Sequence, residues 1–60
     1  MEKYMIVVNY DGETKVYTCD YSESVSVTCE MLRDLDHPYE VYLYDPDEGY
    51  RRTTSWPAKI

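Results

Sequence analysis

The stretch that decides the fold is residues 4–10, YMIVVNY, the longest apolar run in the chain. From Tyr4 to Val8 every side chain is apolar or aromatic, so both faces of an extended strand gain by leaving water. An edge strand with one wet face would alternate between apolar and polar residues instead. The run therefore predicts a central strand. It is too short to span a membrane, which takes about 20 apolar residues.

Three further strands are predicted from turn signals and alternation. Asp11-Gly12 is typical of a tight hairpin because both residues tolerate positive φ, and residues 14–19 return as the second strand. Residues 39–44 alternate in polarity, residues 45–49 have the composition of a turn, and residues 50–56 complete the set.

A helix is predicted between the second and third strands, from Ser22 to Leu35. Val25, Cys29 and Leu32 recur at helical spacing and are expected to form its buried stripe, which Tyr21 and either Leu35 or Asp36 would extend. Asp20 or Ser22 can cap the helix, and Asp20-x-x-Glu23 has the outline of a capping box. Two apolar residues fall outside the stripe and are expected to be partly exposed: Val27 and Met31.

The element order ββαββ makes the chain a single small α+β domain over residues 1–60. The strand order 2-1-3-4 gives a four-stranded, fully antiparallel sheet with the apolar first strand inside, whereas the order 1-2-3-4 would bury Lys15 centrally. One helix packed on one face leaves the other face uncovered. The inward residues are expected to be Val16, Val41, Leu43 and either Ile6 and Val8 or Met5 and Val7.

The uncovered face is expected to carry Tyr17, Tyr42 and Tyr44, with Arg52 and either Tyr50 or Trp56 nearby. The chain has eight tyrosines and one tryptophan but no phenylalanine, so its aromatic residues combine an apolar body with a polar tip. Such tyrosines can be ordinary strand formers that make cross-strand pairs. The alternative is a binding surface or a dimer contact, because contiguous exposed aromatic area on a small protein is uncommon.

Acidic residues dominate the charge: twelve acids against six bases leave a net charge of −6. This balance disfavours direct binding to nucleic acid and favours basic partners. Asp34 and Asp36 end the helix, where a carboxylate costs about 0.3–1 kcal/mol, and they are expected to share one edge with Asp11 and Glu13. A second acidic group is expected at the opposite edge, near Asp20 and Glu23: Asp45, Asp47 and Glu48. Both groups can also be solvated turn residues that keep the protein soluble.

No catalytic or metal-binding motif is present. Cys19, Cys29 and His37 have spacings unlike those of zinc sites, and His37 has no paired nucleophile to activate. We therefore expect no enzyme activity, no cofactor and no membrane partner. The chain begins at Met1 without a signal-peptide pattern, which predicts a cytoplasmic protein with reduced thiols and argues against a Cys19–Cys29 bridge.

By its size, acidity, ββαββ outline and lack of catalytic motifs, the chain resembles the small acidic proteins that phages encode to disable host defences, such as anti-CRISPR proteins. The resemblance implies an inhibitor that acts by binding in the host cell cytoplasm. The leading hypothesis is a non-enzymatic protein whose acidic groups replace phosphates on a basic, nucleic-acid-binding surface such as that of a CRISPR effector. The alternative is a structural or regulatory interaction module that uses the tyrosine-rich face, with a homodimer as one form.

Overall fold

Five elements follow one another in a computed structural model that describes residues 3–57. They are β1 (Tyr4–Tyr10), β2 (Glu13–Cys19), α1 (Ser22–Asp34), β3 (Tyr39–Asp45) and β4 (Gly49–Trp56). The strands form one antiparallel sheet in the order β2-β1-β3-β4. The predicted ββαββ topology and strand order are confirmed. A loose tail, expected from the sequence at residues 58–60, lies outside the described residues.

The turn between β1 and β2 sets the register of the hairpin. Asp11 has φ 53° and Gly12 has φ 77°, the two positive values that a two-residue type I′ turn requires. The pairing runs without a shift from Tyr10 opposite Glu13 to Tyr4 opposite Cys19. Residues directly opposite in an antiparallel pair share a face, so this turn decides which side chains of β2 face the helix.

The core lies between α1 and the face of the sheet that carries Ile6 and Val8. Ile6 is fully buried and Val41 is 2% exposed. Each fully buried side chain of this size contributes about 1.5–3 kcal/mol relative to an exposed one. Of the two alternatives for β1, the structure therefore buries Ile6 and Val8 rather than Met5 and Val7. The remaining buried residues are Val8, Tyr39, Val25, Cys29 and Leu32.

Two residues of the predicted inward set are not in the core. Val16 lies opposite Val7 on the uncovered face and is 55% exposed, because the two-residue turn pairs Ile6 with Tyr17. Leu43 is on the helix side of the sheet but is 36% exposed, because the residues of β3 that the core buries are Tyr39 and Val41, nearer the start of the strand.

The N-terminus of α1 differs from the predicted capping box. Tyr21 is the N-cap residue, with extended backbone (φ −123°, ψ 140°) and no side-chain hydrogen bond to the first turn. Asp20 precedes the N-cap position by one residue, so its carboxylate is not the one placed to accept from the first helical amides. Tyr21 was also expected on the buried stripe, but it is 72% exposed.

The C-terminus of α1 is a Schellman motif. The Asp36 N–H donates to the Arg33 carbonyl at 3.1 Å, and the His37 N–H donates to the Leu32 carbonyl at 2.8 Å. Asp36 has φ 60°, the left-handed conformation that this motif requires and that glycine adopts most easily. Asp36 therefore carries two costs, a strained backbone and a carboxylate at the negative end of the helix dipole.

Replacing Asp36 with glycine is expected to raise the free energy of unfolding by about 1 kcal/mol, because it removes both costs. Replacing Asp34 with asparagine removes only an unfavourable charge and should give a few tenths of that gain. Urea unfolding followed by circular dichroism measures both changes. A loss of stability in the Asp36→Gly variant would contradict the Schellman assignment.

The two cysteines are free and differ in accessibility: Cys19 is half-buried and Cys29 is in the core. Burial raises the pKa of the Cys29 thiol, and the neighbouring Tyr39 hydroxyl only partly opposes this. Because the thiolate is the reactive form, we expect Cys29 in a Cys19→Ser variant to resist a thiol reagent at about pH 8 until the protein unfolds. Rapid labelling of the folded variant would contradict this.

The raised pKa of the Cys29 thiol also makes the stability of the fold depend on pH. Its contribution to the free energy of unfolding is fully present below the usual pKa of 9.0, where the thiol is protonated, and is lost as the pH rises through the higher pKa of the folded state.

Candidate functional site

One end of the sheet carries four of the predicted acidic residues, which we call the acidic cap: Asp11, Glu13, Asp34 and Asp36. The segment that follows α1 contacts the end of β1 in two places. The Tyr10 ring stacks on the His37 ring with centroids 3.8 Å apart. The Asn9 N–H donates to the Pro38 carbonyl at 3.1 Å. The end of the helix and the β1–β2 turn are therefore neighbours, as the topology predicted.

The four carboxylates of the acidic cap are on exposed residues. Within residues 3–57 the ion pairs involve other acids, so no described Lys or Arg lies within 4.0 Å of a cap carboxylate. Among the same residues, no three acidic, histidine or cysteine side chains converge closely enough to hold a metal ion. The cap is thus a spread of exposed negative charge with which no Lys or Arg of residues 3–57 pairs.

The second predicted acidic group, in the β3–β4 turn, is partly compensated by one arginine. Arg51 Nη1 lies 3.6 Å from Asp45 Oδ2, and Arg51 Nε lies 3.5 Å from Glu48 Oε2. Asp45 Oδ1 also accepts the Asp47 N–H at 2.9 Å, which closes the turn. The Asp45 carboxylate therefore stabilises the turn, and the guanidinium of Arg51 reduces the negative potential around it.

The expected grouping of this turn with Asp20 and Glu23 holds for the end of the sheet but not for its edge. All of these residues lie at the same end of the sheet, but Asp20 follows β2 at one edge, whereas the turn joins β3 to β4 at the other. Strand spacing of about 4.8 Å puts roughly 10–14 Å between them. The separation follows from the strand order, which inserts β1 between β2 and β3.

The uncovered face carries Tyr42 and Tyr44, but not Tyr17. Tyr44 lies opposite Tyr50, and the two rings meet edge to face with centroids 5.5 Å apart. Tyr17 pairs with Ile6 and is therefore on the helix side of the sheet, so the expectation that it shares a face with the other two is wrong.

Trp56 is also on the helix side, where its ring stacks on Tyr39 with centroids 6.2 Å apart. Of the two aromatic residues expected near Tyr42 and Tyr44, the uncovered face therefore carries Tyr50 and not Trp56.

A polar network occupies the β3–β4 half of the uncovered face. The Tyr42 hydroxyl donates to Glu40 Oε2 at 3.0 Å, and Arg52 Nη1 lies 3.5 Å from the same oxygen. The hydrogen bond to Glu40 raises the pKa of the Tyr42 hydroxyl. The β1–β2 half of this face is mixed: the pair Val7–Val16 is apolar, whereas Asn9 and Thr14 are polar and hydrogen-bonded to each other. Sequence reasoning missed Glu40, although the alternation of β3 places it on the same face as Tyr42.

A second apolar surface, not predicted as a site, lies on the outer side of α1. We call it the apolar stripe: Val27, Met31 and Leu35. Val27 is 61% exposed and Met31 57%, which confirms that they lie outside the buried stripe. Leu35 was expected to extend the buried stripe, but it follows the last helical residue and is 59% exposed. The spacing of i, i+4 and i+8 places the three along one side of the helix.

Within residues 3–57, α1 is the one helix, and its 13 residues are too few and too polar to cross a bilayer. No protein-family model, no curated protein and no solved structure matches this chain. The function has to be argued from the charges and contacts of these surfaces.

Proposed function

We propose that this protein is a non-enzymatic inhibitor that binds a basic, nucleic-acid-binding protein surface through the acidic cap. The observation that supports this is the placement of four exposed carboxylates at one end of the sheet without a basic partner among the described residues. Sites that hold nucleic acid present Lys and Arg to phosphates. A surface carboxylate can accept the same charge-assisted hydrogen bonds from those side chains.

The backbone around the acidic cap favours this role over that of a flexible acidic loop. Asp11 is held in a two-residue turn, and Asp36 is held in the Schellman motif, both with positive φ. The stacked rings of Tyr10 and His37 tie the two segments together. Because this backbone is already ordered, binding loses less conformational entropy than it would with a disordered acidic segment.

The group at the β3–β4 turn is the weaker candidate for the contact, since Arg51 already pairs with two of its three carboxylates. A partner would have to displace or accommodate that guanidinium. We therefore assign Asp45, Asp47 and Glu48 a supporting role in long-range attraction to a basic surface. The partner class is a protein or complex that grips nucleic acid, such as a CRISPR effector in the cytoplasm of a phage-infected cell.

The test is capture of a partner by the tagged protein from nuclease-treated bacterial extract, using the fraction that heparin retains. That fraction is enriched in proteins with phosphate-binding surfaces. We expect specific recovery at about 50 mM salt and loss at about 500 mM, because exposed charge pairs are screened. Recovery that is indifferent to salt would contradict the proposal.

A second candidate function is a protein-interaction module that uses the uncovered face. The edge-to-face pair of Tyr44, 39% exposed, and Tyr50, 43% exposed, favours it, because it presents exposed aromatic area on the face that no helix covers. In that case Tyr44→Ala would weaken capture more than neutralising the acidic cap, and salt would have little effect. The same capture assay therefore separates the two candidates.

A further inference from the structure

The apolar stripe forms a continuous ridge on the outer side of α1. All three of its side chains are more than half exposed. The Leu35 N–H donates to the Met31 carbonyl at 3.0 Å, so Leu35 continues the helical repeat although it follows the last helical residue. The first and last residues of the stripe are eight positions apart, which on a helix is about 12 Å. The stripe is therefore long enough to take about two turns of a second helix.

A row of carboxylates runs beside the apolar stripe, and we call it the acidic row: Glu23, Glu30 and Asp34. Glu23 lies four residues before Val27 and Glu30 lies three residues after it, so both are its neighbours on the helix surface. Asp34 is in the same way a neighbour of Met31. All three acids are exposed, and none of the ion pairs found within residues 3–57 involves them. The outer side of α1 therefore presents apolar area and negative charge next to each other.

The acidic row and the apolar stripe both run into the acidic cap at the C-terminal end of α1. Asp34 belongs to the row and to the cap, and Leu35 lies between Asp34 and Asp36 in the chain. The Schellman motif fixes Asp36, and the stacked rings of Tyr10 and His37 hold the β1–β2 turn nearby. One continuous surface therefore extends from the acidic cap along the outer side of α1.

The charge of this surface decides what kind of partner fits it. A second copy of this chain would bring another acidic row against the first, and each copy carries a net charge of −6. An anionic membrane surface would be repelled in the same way. A partner that carries Lys and Arg beside exposed apolar side chains is complementary to both the row and the stripe.

We propose that α1 binds a basic amphipathic helix of the partner protein, whose apolar residues pack on the apolar stripe and whose Lys and Arg residues pair with the acidic row. This inference rests on the proposed function, because it takes the partner to be a nucleic-acid-binding protein, and it names the element that is bound. A helix in a nucleic-acid groove presents basic side chains to phosphates and apolar ones to bases. On α1, the acidic row replaces the phosphates and the apolar stripe replaces the apolar base edges.

Helix geometry favours a helical partner over an extended one. The stripe repeats every four residues, and such a ridge packs into the groove between equivalent ridges of another helix. Apolar residues of an amphipathic helix recur every three or four positions, and its charged residues flank them at the same spacing. An extended strand laid on α1 would leave its backbone groups without partners, because the amides and carbonyls of a helix bond within the helix.

The direct test uses a designed helical peptide as the probe. The peptide has leucine at every third or fourth position and lysine elsewhere, over about 18 residues. A control peptide has the same composition in an order without helical periodicity, so that the charge is matched. By fluorescence anisotropy at about 150 mM salt, the amphipathic peptide should bind at least about tenfold more tightly than the control. Equal affinity for the two peptides would overturn the proposal.

Amide shifts in NMR spectra locate the peptide on the wild-type protein. We expect the largest changes over residues 23–35. Changes confined to the uncovered face or to the β3–β4 turn would count decisively against the helix site. The spectra also report self-association: shifts of the α1 amides that depend on protein concentration, without peptide, would assign the stripe to a second copy and likewise overturn the proposal.

A pair of variants tests the stripe itself. Met31→Gln removes the middle apolar side chain without changing the charge or the helix propensity, and it is expected to weaken peptide binding about tenfold. Val16→Thr is the matched control, because Val16 is equally exposed, at 55%, but lies on the uncovered face. It should change the affinity less than about twofold. Circular dichroism checks that both variants are folded. Two variants that behave alike would refute the helix site.

The helix site and the proposed function can fail separately. Asp11→Asn with Glu13→Gln removes two charges of the acidic cap that lie on the β1–β2 hairpin and not on α1. This double variant and Met31→Gln are compared for capture of a partner from nuclease-treated extract. Loss of capture in the double variant alone keeps the proposed function and overturns the helix site. Loss of capture in Met31→Gln alone supports the helix site and removes the acidic cap from the contact.

Discussion

Replacing Ile6 with alanine is expected to unfold a large share of the protein at 25 °C. Ile6 has no exposed surface and packs in the middle of the core, between the sheet and α1. Truncating a buried isoleucine costs about 2–5 kcal/mol, and a core of this size rarely supplies more than about 3–5 kcal/mol in total. Loss of the circular dichroism of the folded state and of cooperative urea unfolding measures the effect.

Val7→Ala is the matched control on the same strand, because Val7 points to the uncovered face and is only half-buried. We expect it to lose well under half as much stability as Ile6→Ala. The comparison tests the face assignment of β1, which alternation alone leaves undecided. If Val7→Ala were the more damaging change, the helix would have to lie on the other face.

The second large effect is expected from neutralising the acidic cap with Asp11→Asn, Glu13→Gln, Asp34→Asn and Asp36→Asn together. Exposed charge pairs contribute roughly 0.5–1 kcal/mol each. Losing four of them weakens binding to a basic partner by about 2–4 kcal/mol, or about 30- to 1000-fold. Titration of the captured partner at several salt concentrations should also show a shallower salt dependence.

The stability of this variant separates binding from folding. Removing carboxylates from the end of α1 and lowering the net charge should leave the fold at least as stable as the wild type. The control variant, Asp45→Asn with Asp47→Asn and Glu48→Gln, removes three charges from the turn that Arg51 partly compensates. A loss of affinity as large as that of the cap variant would show that the cap is not the contact.

The elements of the fold were predictable because their signals are local. The Asp11-Gly12 turn needs positive φ at two successive residues, and few dipeptides allow it. The helical spacing of Val25, Cys29 and Leu32 also reads directly from the chain. The capping-box prediction was wrong although its signal is also local. The pattern at Asp20 is compatible with a helix start, but the N-cap residue is Tyr21, one residue later than this pattern requires.

The acidic cap was predictable from topology, whereas the apolar surfaces were not. Helix direction and the return of the chain into β3 place Asp36 beside the β1–β2 turn whatever the side chains do. The exposure of Leu35 depends instead on where the helix ends and which strands it covers. The compensation of Asp45 and Glu48 depends on the register that brings Arg51 across from Leu43, which no composition argument supplies.

By itself, the sequence determined the element order, the antiparallel arrangement and the central position of β1, since local periodicity and turn chemistry specify each of them. Only the tertiary structure decided which face of each strand is buried. Alternation sorts the residues of a strand into two sets but does not say which set faces the helix, and a shift of one residue exchanges them. Val16 and Tyr17 show this most clearly: the valine is the more apolar residue, yet the two-residue turn opposes Tyr17 to Ile6 and leaves Val16 in solvent.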